Sequence, residues 1–529
     1  MPMAETDPTQ ISTVSDSPRV KELGNLWWLL LVGIAAAALC LPFLRTVYWL
    51  GDEGVLLHGA ARILDGKRLY ADFFEFYPPG GFVLTAVWFR IAGISIVSAR
   101  SLAIVTTVGI ACFTYLTCQR TSRNAPLAAL SAIGWVVMSQ GEWTVVKHHW
   151  FTTLFSMITA WAALAGIEHQ PHRLRWPLIA GAAAGIAAMV TPTRGAFVMM
   201  AALLAFFHPR QRPTELIAYL TGCALAPVGI LSYIVMTGAL LPAFDDVIRL
   251  TAERYASIQP VPFGAFRTPQ YHPLLYLFPA AALLLALVYA FDWRISRRDR
   301  QLQLCGAFAF AGFLGCFPRP DMVHIAFAAP LALPLVVLCM SQLARYLPPL
   351  LRYAALGMMI VLAVPSARAF LSIVRQSLEA KLVWTPRGRV AVFGLPEFPE
   401  LLQQIAATPP GENYFFYPYI PMLPFLTARN HVASYDLFVP NYTLPFEYQN
   451  ACISVMEHAS WIVIDRAWTD PKLLTSVFPA MRNARPPEVS KFEQALDNAF
   501  ERVARYGSFE LRHRRSAGAD PSRCGDIAE

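Results

Sequence analysis

Residues 26–44 read LWWLLLVGIAAAALCLPFL, a run of nineteen residues that contains no charged side chain. A helix needs about 20 apolar residues to cross the hydrocarbon core of a bilayer, and this run meets that length. It is too long for the apolar region of a cleavable signal peptide, and no small-residue cleavage site follows it. We therefore interpret it as a membrane-spanning anchor and the chain as an integral membrane protein.

The composition of the whole chain agrees with a membrane location. Of its 529 residues, 56% are hydrophobic and only 15% are charged, whereas soluble proteins contain about 25% charged residues. The mean hydropathy is +0.43. The net charge of +8 comes from short basic clusters between apolar runs. This distribution is typical of cytoplasmic loops and argues against a nucleic acid partner.

Ten further apolar runs have the composition expected of spanning helices. They lie at residues 100–118, 125–140, 150–167, 177–191, 195–207, 215–236, 273–291, 302–317, 322–340 and 349–365. A tight turn at Thr191–Arg194 joins two of these runs. One more stretch, 81–97, is interrupted by an arginine and a glycine, and it either spans the bilayer or lies along its surface.

The distribution of Lys and Arg decides between these alternatives, because cytoplasmic loops are enriched in both. If 81–97 lies at the interface and the N-terminus is cytoplasmic, every basic cluster between spans is cytoplasmic; these clusters are 119–123, 169–175, 208–212, 292–300 and the region of Arg345 and Arg352. If 81–97 crossed the bilayer, all later clusters would lie outside. We therefore predict about eleven spans and a cytoplasmic N-terminus.

This topology divides the chain into three regions. Residues 1–25 are predicted to form a disordered cytoplasmic N-terminus. Residues 26–370 are predicted to form an all-α polytopic membrane domain whose first outer loop covers 45–99. Residues 371–529 are predicted to form a soluble α/β domain outside the cytoplasm.

The C-terminal region mixes strand and helix patterns. Residues 414–417 and 461–464 are rich in aromatic and β-branched side chains and predict strands, whereas 491–505 predicts a helix. Of the nine cysteines, only Cys452 and Cys524 lie in this polar region, so at most one disulfide is expected there. The cysteines show no metal-ligand spacing.

Two acidic pairs make the first outer loop the strongest candidate for chemistry. Asp52 and Glu53 follow the first span closely, and Asp72 and Glu75 precede a Pro-Pro turn. Carboxylates at a membrane surface can accept a proton from a hydroxyl held beside them, or they can hold a divalent cation. The structural alternative is that Asp52 caps a helix over 54–65 and the other acids are solvated.

The loop resembles that of the GT-C glycosyltransferases, in particular the protein O-mannosyltransferases and the lipid A aminoarabinose transferases. The resemblance rests on Asp52-Glu53 after the first span, a helical stretch ending in Asp65-Gly66-Lys67, and the turn Glu75-Phe76-Tyr77-Pro78-Pro79. It covers the first span to about residue 120, and the rest of the chain matches in layout only. Those enzymes move a sugar from a polyprenyl phosphate carrier to an acceptor at the outer face.

The resemblance implies roles for the acids of this loop. Asp52 matches the aspartate that is the usual candidate for the catalytic base, and Glu53 completes the acidic pair. Glu75 stands where the aminoarabinose enzymes have a Glu before Lys-Pro-Pro. Here Phe76-Tyr77 stands in place of the lysine, so either another residue contacts the donor phosphate or the donor sits differently.

Several cations on the predicted outer face are candidates for that contact. Arg binds phosphate in a bidentate manner and Lys acts as a point charge. We expect Arg319 to contribute most. The other candidate phosphate ligands are Arg194, Lys147 and His324, and the secondary or acceptor candidates are Asp72, His148, His149 and Asp321.

Each of these residues also has a structural interpretation. Lys147 and Arg194 can be interfacial residues that reach toward the headgroups. Arg319, Asp321 and His324 can form a local salt bridge in which Asp321 caps a helix. Adjacent histidines on a helix point in different directions, so the His148-His149 pair is weak evidence for a metal site.

The sequence therefore predicts a glycosyltransferase that uses a polyprenyl-phosphate sugar, with a lipid, glycan or protein as acceptor, in the bacterial inner membrane. No nucleotide cofactor is expected, because the chain has no Walker loop and no dinucleotide fingerprint. A divalent cation remains an open alternative. The competing interpretations are a transporter or flippase for lipid-linked sugars, which tends to show internal repeats and mid-span charges, and a non-catalytic scaffold.

Overall fold

The computed structural model describes residues 18–168, 174–208, 211–291, 293–515 and 520–528. Up to residue 379 the described chain is mainly helical. The helices are α1 (Pro18–Cys40), α2 (Asp52–Leu64), α3 (Pro79–Ala92), α4 (Ile96–Ser122), α5 (Ala125–Ser139), α6 (His148–Ile167), α7 (Arg175–Val190), α8 (Pro192–Phe206), α9 (Pro213–Met236), α10 (Leu240–Ala243), α11 (Ala256–Ile258), α12 (His272–Leu275), α13 (Leu277–Phe291), α14 (Trp293–Ser296), α15 (Arg300–Leu314), α16 (Met322–Leu343) and α17 (Pro349–Glu379).

Six segments among the described residues are long and apolar enough to cross a bilayer, and they identify an integral membrane protein. They lie at Asn25–Phe43, Ile96–Ser122, His148–Ile167, Pro213–Met236, Met322–Tyr346 and Pro349–Glu379. Five shorter apolar helices are α3, α5, α7, α8 and α13. The count of about eleven spans and the orientation therefore stay predictions.

The stretch 81–97, which was expected at the interface, falls largely on α3. This helix has 14 residues, and a rise of about 1.5 Å per residue makes it roughly 21 Å long, shorter than the hydrocarbon core. The N-terminal tail predicted over 1–25 is helical from Pro18 onward, and its first part lies outside the described residues. So do parts of the predicted basic clusters at 169–175, 208–212 and 292–300.

Glycine allows two membrane helices to approach closely. A Cβ atom at Gly181 of α7 would collide with the backbone of Tyr219 on α9, and one at Gly185 would collide with that of Cys223. Small residues are the usual means by which helices pack in a membrane, where lipid is as apolar as a leucine side chain. Only Thr191 separates α7 from α8, as the predicted tight turn requires.

The described part of the C-terminal region contains five α-helices and, together with the short strand β1 of the first outer loop, two sheets. The strands are β1 (Thr46–Val47), β2 (Leu382–Thr385), β3 (Gly388–Val392), β4 (Asn413–Tyr417), β5 (Asn430–His431), β6 (Trp461–Asp465), β7 (Phe500–Tyr506) and β8 (Phe509–Arg514). The helices are α18 (Phe398–Ala407), α19 (Met422–Thr427), α20 (Pro445–His458), α21 (Pro471–Val477) and α22 (Pro487–Ala499).

The smaller sheet connects this region to the first outer loop. Its order is β1-β3-β2, with β1 parallel to β3 and β2 antiparallel to it. Thr46 pairs with Ala391 and Val47 with Val392, so the chain leaving α1 is held by the β2–β3 hairpin. The second sheet has the order β5-β4-β6-β8-β7, and a disulfide joins Cys452 to Cys524.

The strands predicted at 414–417 and 461–464 are present as β4 and β6, but the helix predicted over 491–505 is wrong in its second half. Helix α22 ends at Ala499, and the chain continues as β7, which pairs antiparallel with β8. The charged pattern of 500–506 suits a helix. Pairing with a neighbouring strand overrides that local preference.

The topology predicts opposite accessibility for two exposed positions. In a variant with Asn430→Cys, a membrane-impermeant maleimide added to intact spheroplasts should label the new thiol. A variant with Arg297→Cys should be labelled only after the membrane is permeabilised. The unmodified chain, whose free cysteines are buried or partly buried, is the control. Labelling of position 297 from outside would show that the predicted orientation is wrong.

Candidate active site

Asp52 stands at the first position of α2 and does not cap the helix. The residue before the helix is Gly51, and no side chain caps the N-terminus. The alternative that Asp52 is an N-cap is therefore wrong. The loop lies tightly against the C-terminal region, because a Cβ atom at Gly51 would collide with the ring of Tyr419, and one at Gly54 with the backbone of Met422.

The Asp52 carboxylate is held by three side chains from different parts of the chain. Lys147 Nζ donates to Oδ2 at 2.6 Å, and Tyr419 OH donates to Oδ1 at 2.7 Å. Tyr77 OH also donates to Oδ1, at 3.3 Å, and lies 3.3 Å from Lys147 Nζ. The Asp52 side chain is 38% exposed, whereas that of Lys147 is 5% exposed. The carboxylate is thus oriented but accessible.

Its electrostatic state follows from these contacts. Burial raises the pKa of the Asp52 carboxyl, but the ammonium of Lys147 and the hydroxyl of Tyr419 outweigh burial and hold that pKa well below its usual range. Asp52 is therefore ionised at neutral pH. A carboxylate so strongly stabilised is a weak base for as long as Lys147 stays beside it.

Glu53 has a different environment from Asp52. Its side chain and that of Arg100 are both 0% exposed and form an ion pair. Arg100 Nη2 donates to Oε2 at 2.8 Å, and the backbone N–H of Val146 donates to Oε1 at 3.0 Å. Arg100 Nε also donates to the carbonyl of Thr46 at 2.9 Å. This ion pair joins the beginning of α2 to α4 and to the segment before α6, and it leaves Glu53 no access to a substrate.

A row of imidazole rings extends from Lys147 into the membrane part. The ring of His148 lies 4.2 Å from that of Tyr77 and 4.0 Å from that of His149. The ring of His149 lies 4.9 Å from that of His324 at the beginning of α16. Both His148 Nδ1 and His149 Nδ1 are buried and have no hydrogen-bond partner among the described residues. Such groups are rare in a folded protein and call for an explanation.

Arg194 lies beside this row. It is at the beginning of α8, and its guanidinium carbon is 5.8 Å from the ring centre of Phe327, which in turn lies 4.9 Å from His149. Its Nε donates to the carbonyl of Gly315 at 2.7 Å. Its Nη2 is buried and without a partner in the part of the chain that the structure describes.

Arg319, which was expected to contribute most to phosphate binding, is already occupied by protein groups. Its Nε donates to Asp321 Oδ2 at 2.9 Å, Nη1 to Gln259 Oε1 at 2.7 Å, and Nη2 to the carbonyl of Val477 at 3.0 Å. Asp321 Oδ1 caps α16 through the backbone N–H of His324 at 2.9 Å. The structure therefore contains the local salt bridge and the capping aspartate that the structural interpretation of this group predicts.

The second acidic pair of the loop lies away from Asp52. Asp72 is bound by Arg68 at 2.7 Å near the surface. Glu75 is 3% exposed, and its Oε1 has no hydrogen-bond partner among the described residues. Burial raises the pKa of Glu75 well above its usual range, and the carboxylate of Asp436 adds to that shift. No hydrogen bond joins either acid to Asp52 within the described chain. Among all the described residues, no group of three or more His, Cys, Asp or Glu side chains is arranged to hold a metal ion.

The comparisons with known proteins bear on this arrangement. A family model described as dolichyl-phosphate-mannose-protein mannosyltransferase matches residues 77–235, which contain Lys147 and Arg194 but not Asp52. No protein with a curated description matches the chain.

The similarity to solved structures extends over most of the chain. ArnT from Cupriavidus metallidurans bound to undecaprenyl phosphate is 13% identical with a TM-score of 0.56, covering 94% of this chain and 99% of that one. Its apo structure is 15% identical with a TM-score of 0.54, covering 94% and 100%. The arabinofuranosyltransferase AftD from Mycobacteria is 12% identical with a TM-score of 0.52, and the similarity covers 93% of this chain but only 40% of AftD.

The chain has the fold of the GT-C glycosyltransferases. The resemblance that the first outer loop indicated is thus confirmed at the level of the fold. Sequence reasoning missed three residues that contact Asp52 or Glu53: Tyr77, Tyr419 and Arg100. Tyr77 carried a signal, because it stands beside the position where the aminoarabinose enzymes have lysine. Tyr419 and Arg100 carried none, since nothing local relates either residue to the Asp-Glu pair.

The buried ion pair predicts a large effect on stability. Glu53→Ala leaves the Arg100 guanidinium buried without its counterion, which costs about 3–5 kcal/mol when a buried pair loses one partner. We expect a marked fall in the thermal unfolding temperature of the purified protein in detergent. Glu379→Ala, which removes the exposed partner of Arg375, is the control and should unfold like the parent. Equal unfolding temperatures for both variants would contradict the role given to Glu53.

Proposed function

We propose that the chain transfers a sugar from a polyprenyl-phosphate carrier to an acceptor hydroxyl or amine at the outer face of the bacterial inner membrane, with Asp52 as general base. The observation that carries this proposal is the juxtaposition of an accessible carboxylate with buried polar atoms that have no hydrogen-bond partner among the described residues. Asp52 contacts Lys147 at 2.6 Å, and His148, His149 and Arg194 follow behind it. The ArnT structure contains undecaprenyl phosphate, which supports the choice of donor class.

The unpaired polar atoms suit a donor phosphate. Arg194 Nη2 and the two histidine Nδ1 atoms are buried without partners among the described residues. A buried polar group without a partner costs about 1–3 kcal/mol, and a phosphate oxygen accepting from these groups removes that cost. Arg194 presents an unused donor, whereas all three nitrogens of Arg319 are bound. We therefore assign the main phosphate contact to Arg194 and Lys147, and a supporting role to Arg319 with His324.

Lys147 connects phosphate binding to the base. In the structure its ammonium is bound to Asp52 and Tyr77 OH. A phosphate in the neighbouring group of cations offers the ammonium a second anion, and movement of Lys147 toward it frees Asp52. The pKa of Asp52 then rises from its depressed value, because its main stabilising charge has moved away. Donor binding thus prepares the base.

The transfer step requires few groups. The acceptor oxygen or nitrogen attacks the anomeric carbon of the sugar while the bond between that carbon and the phosphate oxygen breaks. The electron pair of the broken bond stays on the phosphate, which Arg194 and Lys147 stabilise, and the acceptor proton passes to Asp52. Attack opposite to the leaving phosphate inverts the anomeric carbon. The protein mainly supplies orientation and charge stabilisation.

Replacement of the base should abolish transfer without unfolding the protein. Asp52→Asn keeps the shape of the side chain but cannot accept the proton, so we expect the rate to fall by about 10²- to 10⁴-fold. The assay is a screen of polyprenyl-phosphate sugars with purified protein in lipid. Asp245→Asn, which changes an exposed acid of the helical segment after α10, should keep the parent rate. An Asp52→Asn variant as active as the parent would eliminate the base role.

Donor binding should distinguish the two arginines. We expect Arg194→Gln to weaken binding of polyprenyl phosphate by about ten- to a hundred-fold, the effect of losing a charge-assisted contact of about 1.5–3 kcal/mol. Arg319→Gln should weaken it less, and Arg298→Gln, near the predicted cytoplasmic end, should have no effect. Binding is measured by titration of the purified protein. If Arg319→Gln lost more affinity for polyprenyl phosphate than Arg194→Gln, Arg319 would be the main phosphate ligand, as the sequence predicted.

A further inference from the structure

A second candidate site is a cavity of about 560 Å³ between α2 and the C-terminal region. Helix α2 contributes His58, Ala61 and Arg62, and Asp65 follows at its C-terminal end. Their spacing of three and four places them on one face of the helix. Asp52 is six residues before His58, which at about 100° per residue places it roughly 120° around the helix axis. The cavity is therefore separated from the Asp52 carboxylate by the helix itself.

One wall of this cavity rests on a polar network around Asp436, whose partners His58, Arg62 and His431 line the cavity. The Asp436 side chain is 3% exposed and accepts from Arg62 Nη1 at 3.0 Å. It also contacts His58 Nδ1 at 2.9 Å, and His431 Nε2 at 3.5 Å. Arg62 lies over the ring of Phe73, with 5.2 Å between the guanidinium carbon and the ring centre. These contacts hold one wall of the cavity in place before any ligand binds.

Two further cations line the cavity and are largely free of protein partners. Lys67 is exposed and forms no ion pair among the described residues. Arg387 is half-buried, and the hydrogen bond described for its side chain is one from Nε to the carbonyl of Phe425 at 3.3 Å. Arg429 is different, because it donates to the carbonyls of Ile405, Thr408 and Pro409 at the end of α18. Lys67 and Arg387 are thus the cations that can bind a ligand.

The acids near these cations do not neutralise them fully. Asp72 is already bound by Arg68, at 2.7 Å. Asp436 is bound by Arg62 and the histidines behind the wall. Asp65, the other acid that lines the cavity, forms no hydrogen bond or ion pair with a cation among the described residues, although its charge acts on Arg387. Lys67 and Arg387 together therefore carry one positive charge more than Asp65 neutralises. The side chains of Asn413 and Asn430 add uncharged polar groups, and the volume matches that of small-molecule sites, about 300–1,000 Å³.

We propose that this cavity binds a phosphate monoester carried on a polar group of sugar size, with Lys67 and Arg387 on the phosphate. Arg provides a planar pair of donors and Lys a point charge, the combination that suits a phosphate. The asparagines and the backbone of residues 432–434 then face the hydroxyl groups of the ligand. The site does not depend on sugar transfer, and its position on α2 makes it separate from the donor phosphate site at Arg194.

The test is direct binding to the full chain in phosphatidylcholine nanodiscs. Glucose 6-phosphate is the soluble probe, glucose the uncharged control, and a short-chain phosphatidylinositol 4-phosphate the lipid probe. We expect saturable binding of a phosphate probe but not of glucose. Binding should weaken about ten-fold in Lys67→Gln, an exposed side chain whose loss cannot unfold the protein, and further when Arg387→Gln is added.

Two control variants make the result specific. Arg389 belongs to the same hairpin as Arg387, its guanidinium carbon lies 4.0 Å from the ring centre of Trp384, and it does not line the cavity. The Arg389→Gln variant should bind the phosphate probe as the parent does. Arg194→Gln should also leave this binding intact, which separates the result from that of the donor site. Tighter binding of glucose 6-phosphate identifies a soluble source of the ligand, and tighter binding of phosphatidylinositol 4-phosphate identifies a lipid source. The proposal is overturned if neither phosphate probe binds the parent, or if binding survives in the double variant.

Discussion

The ion pair between Glu53 and Arg100 is the constraint on which the candidate site depends. Both side chains are fully buried, and Arg100 also binds the carbonyl of Thr46, the residue whose strand pairs with the C-terminal hairpin. The chain leaving the first span is therefore fixed to α4 on one side and to β3 on the other. These contacts also fix the backbone of Asp52, the residue next to Glu53. One acid of the pair thus fixes the backbone, and the other is left accessible for chemistry.

A lysine from a distant segment stands near the position where the resemblance leads one to expect a local one. Tyr77 occupies the turn before the prolines, and its hydroxyl lies 3.3 Å from Lys147 Nζ. The cation is therefore Lys147, which directly precedes α6, and not a lysine of the turn before the prolines. This geometry brings it against Asp52 itself, so in the proposed mechanism the same ammonium controls the basicity of Asp52 and binds the donor phosphate. An arrangement with a local lysine need not couple the two in this way.

Local patterns explain what the sequence could predict. Apolar runs identify membrane helices because lipid demands them, and an acidic pair at the end of the first span stands out against that background. Partners distant in sequence leave no such trace: Tyr419 is 367 residues from Asp52, and Arg100 is 47 residues from Glu53. The emphasis on Arg319 came from its charge and from its predicted place at the mouth of a span on the outer face. Sequence does not reveal that Gln259 and the carbonyl of Val477 already occupy its guanidinium.

Helix α2 connects both proposed sites. Its first residue is the candidate base, and ten residues later Arg62 lines the second cavity, about 15 Å away at 1.5 Å per residue. The middle of the helix is tied to the C-terminal region through His58 and Asp436 and by the close approach at Gly54. The two proposed sites therefore lie on different faces of one helix: Asp52 begins it, and the cavity that Lys67 and Arg387 line lies beside its C-terminal end.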